Sequence, residues 1–152
     1  MNTKRELAEF PFRFSTRTID MEINTHLKIK HQLCGTPTVV EEGYVRVEMT
    51  TTNAMTADDV GLVHGGFIFG MADYAAMLAV NDPNVVLGAA DIKFLKPVSV
   101  QETVVAEARV STVQGKKQMV DVRVKGIGEE VFQGVFTCFV LEKHVLHDRI
   151  DG

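Results

Sequence analysis

The chain has 152 residues, 45% hydrophobic and 24% charged, with a formal net charge of −4, two Cys and no Trp. That length suits one domain around one sizeable core, and the balance is that of an ordinary globular protein. A mildly acidic chain with no block of like charge argues against nucleic acid as a partner, and no apolar run reaches the ~18 residues of a membrane span.

The first stretch, MNTKRELAEFPFRF, mixes basic residues with two Glu and lacks the continuous apolar segment of a signal peptide, so a cytoplasmic protein is expected. Its residues show no periodicity and read as an N-terminal extension. From Ile19 a helical pattern follows: Ile19, Ile23 and Leu27 recur every four positions, and Leu33 and Cys34 continue the apolar side. Thr18 or Asp20 would cap this helix, and Gly35 with Pro37 would stop it, so extension and helix together occupy about 1–35. Cys34 and Cys138 are too few for a disulfide framework and sit among apolar neighbours. They read as reduced, buried thiols.

Between Thr38 and Thr52 the pattern changes to alternation. Val45, Val47 and Met49 fall on one face, with Arg46, Glu48 and Thr50 on the other. That is a half-buried strand. A polar connection, NAMTADDVGLV at 53–63, leads into HGGFIFGMADYAAMLAV at 64–80. This segment is too long and too rich in Ala and Met for a strand. Being apolar on every side, it predicts a helix in the middle of the domain. Asn81, Asp82, Pro83 and Asn84 end it. Four strand-like stretches follow, at 85–95, 98–113, 119–127 and 131–143, separated by short turns that favour antiparallel pairing. With no internal repeat and no linker, residues 1–152 read as one domain. The arrangement is α+β: an antiparallel sheet of about five strands must wrap a long central helix, which describes a hotdog fold.

Within that helix, between Gly66 and Val80, the ionisable side chains are Asp73 and Tyr74. A buried, unpaired carboxylate costs several kcal/mol or has its pKa forced upward. Satisfaction by backbone amides, or by a partner across an interface, would be the bland account. The helix start points elsewhere. His64-Gly65-Gly66 places two residues without Cβ where the chain enters the helix, and the first helical N–H groups lack internal partners. Free N–H groups at the positive end of a helix suit a carbonyl oxygen gaining negative charge. Asp73 stands nine positions after His64, about half a turn out of phase, and roughly 12 Å from Gly65 along the axis. Acid and N–H groups of one chain would therefore not meet, and a symmetric dimer would share the site.

At these residues the sequence resembles the hotdog-fold acyl-CoA thioesterases, particularly the branch of the phenylacetate-pathway and 4-hydroxybenzoyl-CoA enzymes. The motif is V-H-G-G-F-I-F-G-M-A-D, supported by A-D-I-K-F-L-K-P-V in the strand after the helix, and the likeness covers roughly Thr38 to Glu142. The resemblance implies that a backbone N–H at Gly65 or Gly66 polarises the thioester carbonyl. Asp73 of a neighbouring subunit would then be general base or nucleophile. His64 and Val63 would help shape the substrate site. It implies a homodimer or higher homo-oligomer, with CoA as part of the substrate and no metal or redox cofactor. His144 and His147 have metal-like spacing but read as surface residues. Members of the branch often carry Asn or Gln a few residues before HGG. Here Asn53 lies farther back, and Asp58 or Asp59 stands nearer that place.

Two other readings use the same fold. Hotdog hydratases place an Asp and a His five positions apart, as Asp59 and His64 are here, but their D-x-N-P-x-H pattern is absent. The segment V-V-L-G-A-A-D-I-K-F-L-K-P-V also resembles the acyl-CoA-sensing domain of bacterial repressors of lipid synthesis, which bind without cleaving and lack the helix acid. Free CoA release separates binding from hydrolysis.

Overall fold

A computed structural model describes residues 17–151; the first sixteen positions of the expected N-terminal extension lie outside the described residues. The elements are β1 (Thr18–Ile19), α1 (His31–Cys34), β2 (Thr36–Glu41), β3 (Tyr44–Thr50), α2 (Gly65–Val80), β4 (Val85–Phe94), β5 (Thr103–Gln114), β6 (Lys117–Lys125), β7 (Glu130–Val140) and α3 (His147–Asp151). The strands form one sheet in the order β1-β2-β3-β5-β6-β7-β4. The short β1 pairs parallel with β2, and every other pair is antiparallel.

The wrapped-helix arrangement is the one expected, but the sheet has seven strands rather than about five. One extra strand comes from the stretch read as a single strand over 38–52. It is a hairpin, because Gly43 at φ 72 turns the chain between Glu41 and Tyr44. The other is β1, where Ile19 pairs with Val40. The stretch read as a strand from 98 begins only at Thr103. Before it, the Thr51 hydroxyl donates to the carbonyls of Ser99 and Glu102, at 2.8 and 3.1 Å, and holds a turn.

The long helix expected from Ile19 to Cys34 does not form. Only His31–Cys34 is helical, closed by Gly35 at φ 94. The apolar spacing has another cause: Met21, Ile23 and Ile29 pack on the core as the chain crosses α2, while Leu27 is 72% exposed. His26 at φ 54 breaks any helical run. Side-chain bonds from Asn81 replace what helical hydrogen bonding would have supplied.

The core lies between the sheet and α2. Val45 and Val47 of β3, Val104, Ala106 and Ala108 of β5, and Val120, Val122 and Val124 of β6 turn inward and are almost wholly buried. Facing them, Ala72, Ala75, Ala76 and Ala79 let α2 approach closely, while Met71, Met77 and Leu78 fill the remaining space. Truncating Leu78 to Ala would cost roughly 2–5 kcal/mol. The crossing segment 21–34 covers another side of α2, which is why a helix above a single sheet is apolar nearly all round. One stripe stays uncovered: Gly66, Gly70 and Asp73 are all partly or fully open.

Candidate active site

α2 starts at His64, whose extended backbone (φ −64, ψ 131) turns the chain into the helix without a side-chain cap. Phe67 is the first residue whose N–H reaches a carbonyl, that of His64 at 3.0 Å; the N–H groups of Gly65 and Gly66 lie ahead of it. Two rings from the same chain occupy the space the glycines leave. A Cβ on Gly65 would sit 3.1 Å from the Phe94 ring, and one on Gly66 would sit 2.8 Å from His64 Nε2. His64 is exposed and meets Phe67 edge-on at 6.1 Å between centroids. Below Gly65 a cleft of about 270 Å³ runs past Val63, Ile68, Phe94 and Lys96. Val63 itself is buried, and its N–H donates to Val98 at 2.9 Å.

Asp73 faces a different space. It lines a cleft of about 430 Å³ with Thr25, His26, Met77, Val85, Leu87 and His144. Its Oδ1 is buried with no hydrogen-bond partner. Burial pushes its carboxyl up from 3.8 to about 6. Asp73 shares a helix face with Gly66, since seven residues make about two turns, so distance along the axis separates them rather than direction. At ~1.5 Å per residue that distance is about 10 Å. One chain therefore presents two half-sites.

The preceding loop divides the sequence-level candidates. Asp58 is exposed, and its Oδ1 accepts N–H bonds from Val60, Gly61 and Leu62 at 2.9, 3.1 and 3.1 Å. Those bonds hold its carboxyl below the ordinary range. Its visible task is to fold the loop. Asp59 and Asn53 are both exposed, the latter opening a short 3-10 turn at Asn53–Met55. Cys34 and Cys138 are free thiols. Burial raises both, Cys138 to about 12, and the Asp73 charge adds to each shift. The acid thus lies near both sulfurs, a relation invisible in the linear sequence.

Sequence reasoning passed over Thr25 and His26. They reach the Asp73 cleft from the crossing loop, and no local pattern marks them. His144 also lines that cleft, with its Nδ1 accepting the Leu146 N–H at 3.0 Å. Among the described residues no helix is long and apolar enough to cross a membrane, and no cluster of three or more His, Cys, Asp or Glu could hold a metal ion.

Residues 60–132, which run from the loop through α2 into β7, match the family model described as the thioesterase superfamily. The solved structure of an uncharacterized protein from Pyrococcus horikoshii has a TM-score of 0.83 at 51% identity, over 85% of this chain and 99% of that one. A Streptococcus mutans protein solved with acetyl CoA bound has a TM-score of 0.69 at 26% identity, over 79% of this chain and 99% of that one. Among curated proteins, the chain is 53% identical over 123 residues, 80% of its length, to the methylthioribose-1-phosphate isomerase of Aquifex aeolicus. It is 36% identical over 90 residues, 59% of its length, to the transcription factor FapR of Caldanaerobacter subterraneus. It spans 27% of the first relative and 45% of the second. The chain thus carries the hotdog fold, and its residues 60–132 are similar to the thioesterase superfamily.

Proposed function

We propose that the protein hydrolyses acyl-CoA thioesters at sites shared between two copies of the chain. The observation that carries this reading is Asp73, a carboxyl raised to about 6 whose buried Oδ1 has no partner, set in the wall of a cleft. An acid tuned toward neutrality in a cleft suits a general base. The acetyl CoA bound to the Streptococcus mutans protein supports a ligand of the CoA type.

Topology supports the sharing. β4 is an edge of the sheet, paired only with β7 among the described residues. Its Val85–Leu87 end lines the Asp73 cleft, and its Phe94 end covers Gly65. A long edge strand with unpaired backbone groups is a template for another strand. Paired about a two-fold axis, two β4 strands run antiparallel, so the Val85 end of one copy lies beside the Phe94 end of the other. Each Asp73 cleft then adjoins the partner's free N–H groups. Nothing lies within 4 Å of a Cβ built on Gly70, so the uncovered stripe of α2 leaves room for a second helix.

In this arrangement the thioester oxygen accepts the N–H bonds of Gly65 or Gly66 from one copy. Asp73 of the other takes a proton from water as the water oxygen bonds to the carbonyl carbon and an electron pair moves onto the carbonyl oxygen. Collapse breaks the C–S bond, and CoA leaves as a thiolate. Direct attack by Asp73, giving an anhydride that water opens, needs the same geometry.

The test is free-thiol release from a panel of aliphatic and aromatic acyl-CoAs. Asp73→Asn should nearly abolish turnover, leaving a small measurable residue, while leaving acyl-CoA binding intact. Gly65→Val should abolish it from the other half-site. Mixing the two inactive variants after subunit exchange should restore about a quarter of wild-type activity, because half the dimers then carry one intact site of two. A wild-type protein that releases no thiol overturns the hydrolytic reading. No restoration on mixing, with exchange verified, overturns the sharing. A second reading, an acyl-CoA-binding regulator, draws on the likeness to FapR. Tight binding without turnover across the panel would establish it instead.

A further inference from the structure

The cleft in front of Asp73 is walled on one side by Thr25 and His26. Their loop is not a loose crossing. Asn81, which ends α2 in the left-handed conformation at φ 57, accepts the Asn24 N–H at 2.8 Å and donates its amide to the Glu22 carbonyl at 2.9 Å. Thr25 is only 5% exposed, and its Oγ1 lies 2.8 Å from His26 Nδ1. The His26 ring stands 6.4 Å from that of Tyr74, the neighbour of Asp73 on the helix. Two clamps from α2 and one hydroxyl therefore fix this imidazole.

Its backbone is at φ 54, in the left-handed region that histidine enters more often than most residues bearing a Cβ. Thr25 takes Nδ1, and no described residue bonds to Nε2. Nδ1 is thus held by Thr25, and the ring lines the same cleft as the carboxyl whose Oδ1 has no partner.

We propose that His26 is a second catalytic residue of the Asp73 site, whose Nε2 holds the attacking water while Asp73 removes its proton. The role rests on the hydrolytic reading above. Water has two protons: Asp73 takes one, Nε2 accepts a hydrogen bond from the other, and the oxygen lone pair stays directed at the carbonyl carbon. The proton on Asp73 returns to solvent or to the departing thiolate, so His26 gains none overall. The role needs a neutral ring protonated at Nδ1. Thr25 Oγ1, 2.8 Å from Nδ1, is placed to accept that proton, and burial holds the ring below its ordinary 6.5. His144 also lines the cleft and is exposed. Tyr74, whose ring neighbours that of His26, is held as a neutral phenol by burial, and Cys34 and Cys138 are held as thiols.

The test compares His26→Asn with the wild type, because Asn tolerates the left-handed backbone and removes Nε2. With an unchanged thermal transition, kcat should fall about 10- to 100-fold with KM within about threefold. The same substitution added to Asp73→Asn should cause no further loss, since both act on one water. His26→Ala should be rescued by added imidazole in proportion to its free base. Wild-type thiol release with His26→Asn within twofold of it would overturn the His26 role alone. Losses that multiply in the double variant would also overturn it, by showing an independent structural effect. A wild type with no hydrolysis overturns the underlying reading and this role together.

Discussion

Replacing Asp73 by Asn should make the protein more stable at neutral pH while removing its activity. The folded protein holds the Asp73 proton to about 6, against an ordinary 3.8, so ionisation favours the unfolded chain. The penalty is absent below about 4, grows as pH rises, and is complete above about 6. At about 1.4 kcal/mol per pH unit it comes to about 3 kcal/mol at pH 7 to 8. Asn keeps the shape and has no charge to desolvate. Its advantage in thermal denaturation should reach roughly 6–12 °C at pH 7 to 8 and shrink toward zero near pH 4. Urea denaturation across that range, at fixed protein concentration, gives the same comparison without heating. A difference that does not change with pH would refute the reasoning, as would an Asn variant less stable at pH 7. Either result would mean that Asp73 is satisfied in solution by a partner that stabilises its charge.

Three further outcomes follow from the same geometry. If Asp73 acts as a base, kcat should fall as pH drops through about 6, where the carboxyl takes up its proton, and a pH–rate profile measures this directly. Asp58→Ala should release the loop it folds: the amides of Val60, Gly61 and Leu62 should exchange faster by hydrogen-exchange mass spectrometry, with little change in the global transition. Phe94→Ala removes the 55% exposed ring that backs Gly65 and ends the edge strand. It should lower kcat/KM and weaken the proposed dimer as measured by light scattering, with only a small effect on the fold of the single chain.

The sequence carried the middle of the fold well and its N-terminal side poorly. An apolar 16-residue helix and alternating strands are local patterns, and α2, β3 and β6 follow from them directly. The crossing segment 21–34 has no such pattern of its own. Its apolar residues happen to recur every four positions, but Asn81, more than fifty residues away, decides its path. The same contact explains why His26 could not be read in advance: Thr-His is an unremarkable pair until tertiary structure brings it beside Asp73. Asp73 and Gly65-Gly66 were legible because a lone acid and paired glycines violate the rules of a buried helix. Asp58 was legible as an unusual loop acid, yet its hydrogen bonds to three consecutive amides show an acid building its own loop.

Taken singly, the exceptional features of this chain have ordinary explanations. An edge strand can be tolerated, a buried carboxyl can be a cost of ancestry, and free N–H groups occur at every helix start. Their positions are less ordinary. The exposed middle of β4, from Gly88 to Asp91, separates the Asp73 cleft at one end from the ring over Gly65 at the other. A monomer leaves the edge backbone unpaired and keeps the Asp73 carboxyl and the helix N–H groups apart. One two-fold rotation about the middle of that strand pairs the edge and brings each acid to the other copy's N–H groups around a cleft. Because a single operation pairs the edge and assembles the acid and the N–H groups around one cleft, the proposed shared site explains more of this structure than a site confined to one chain.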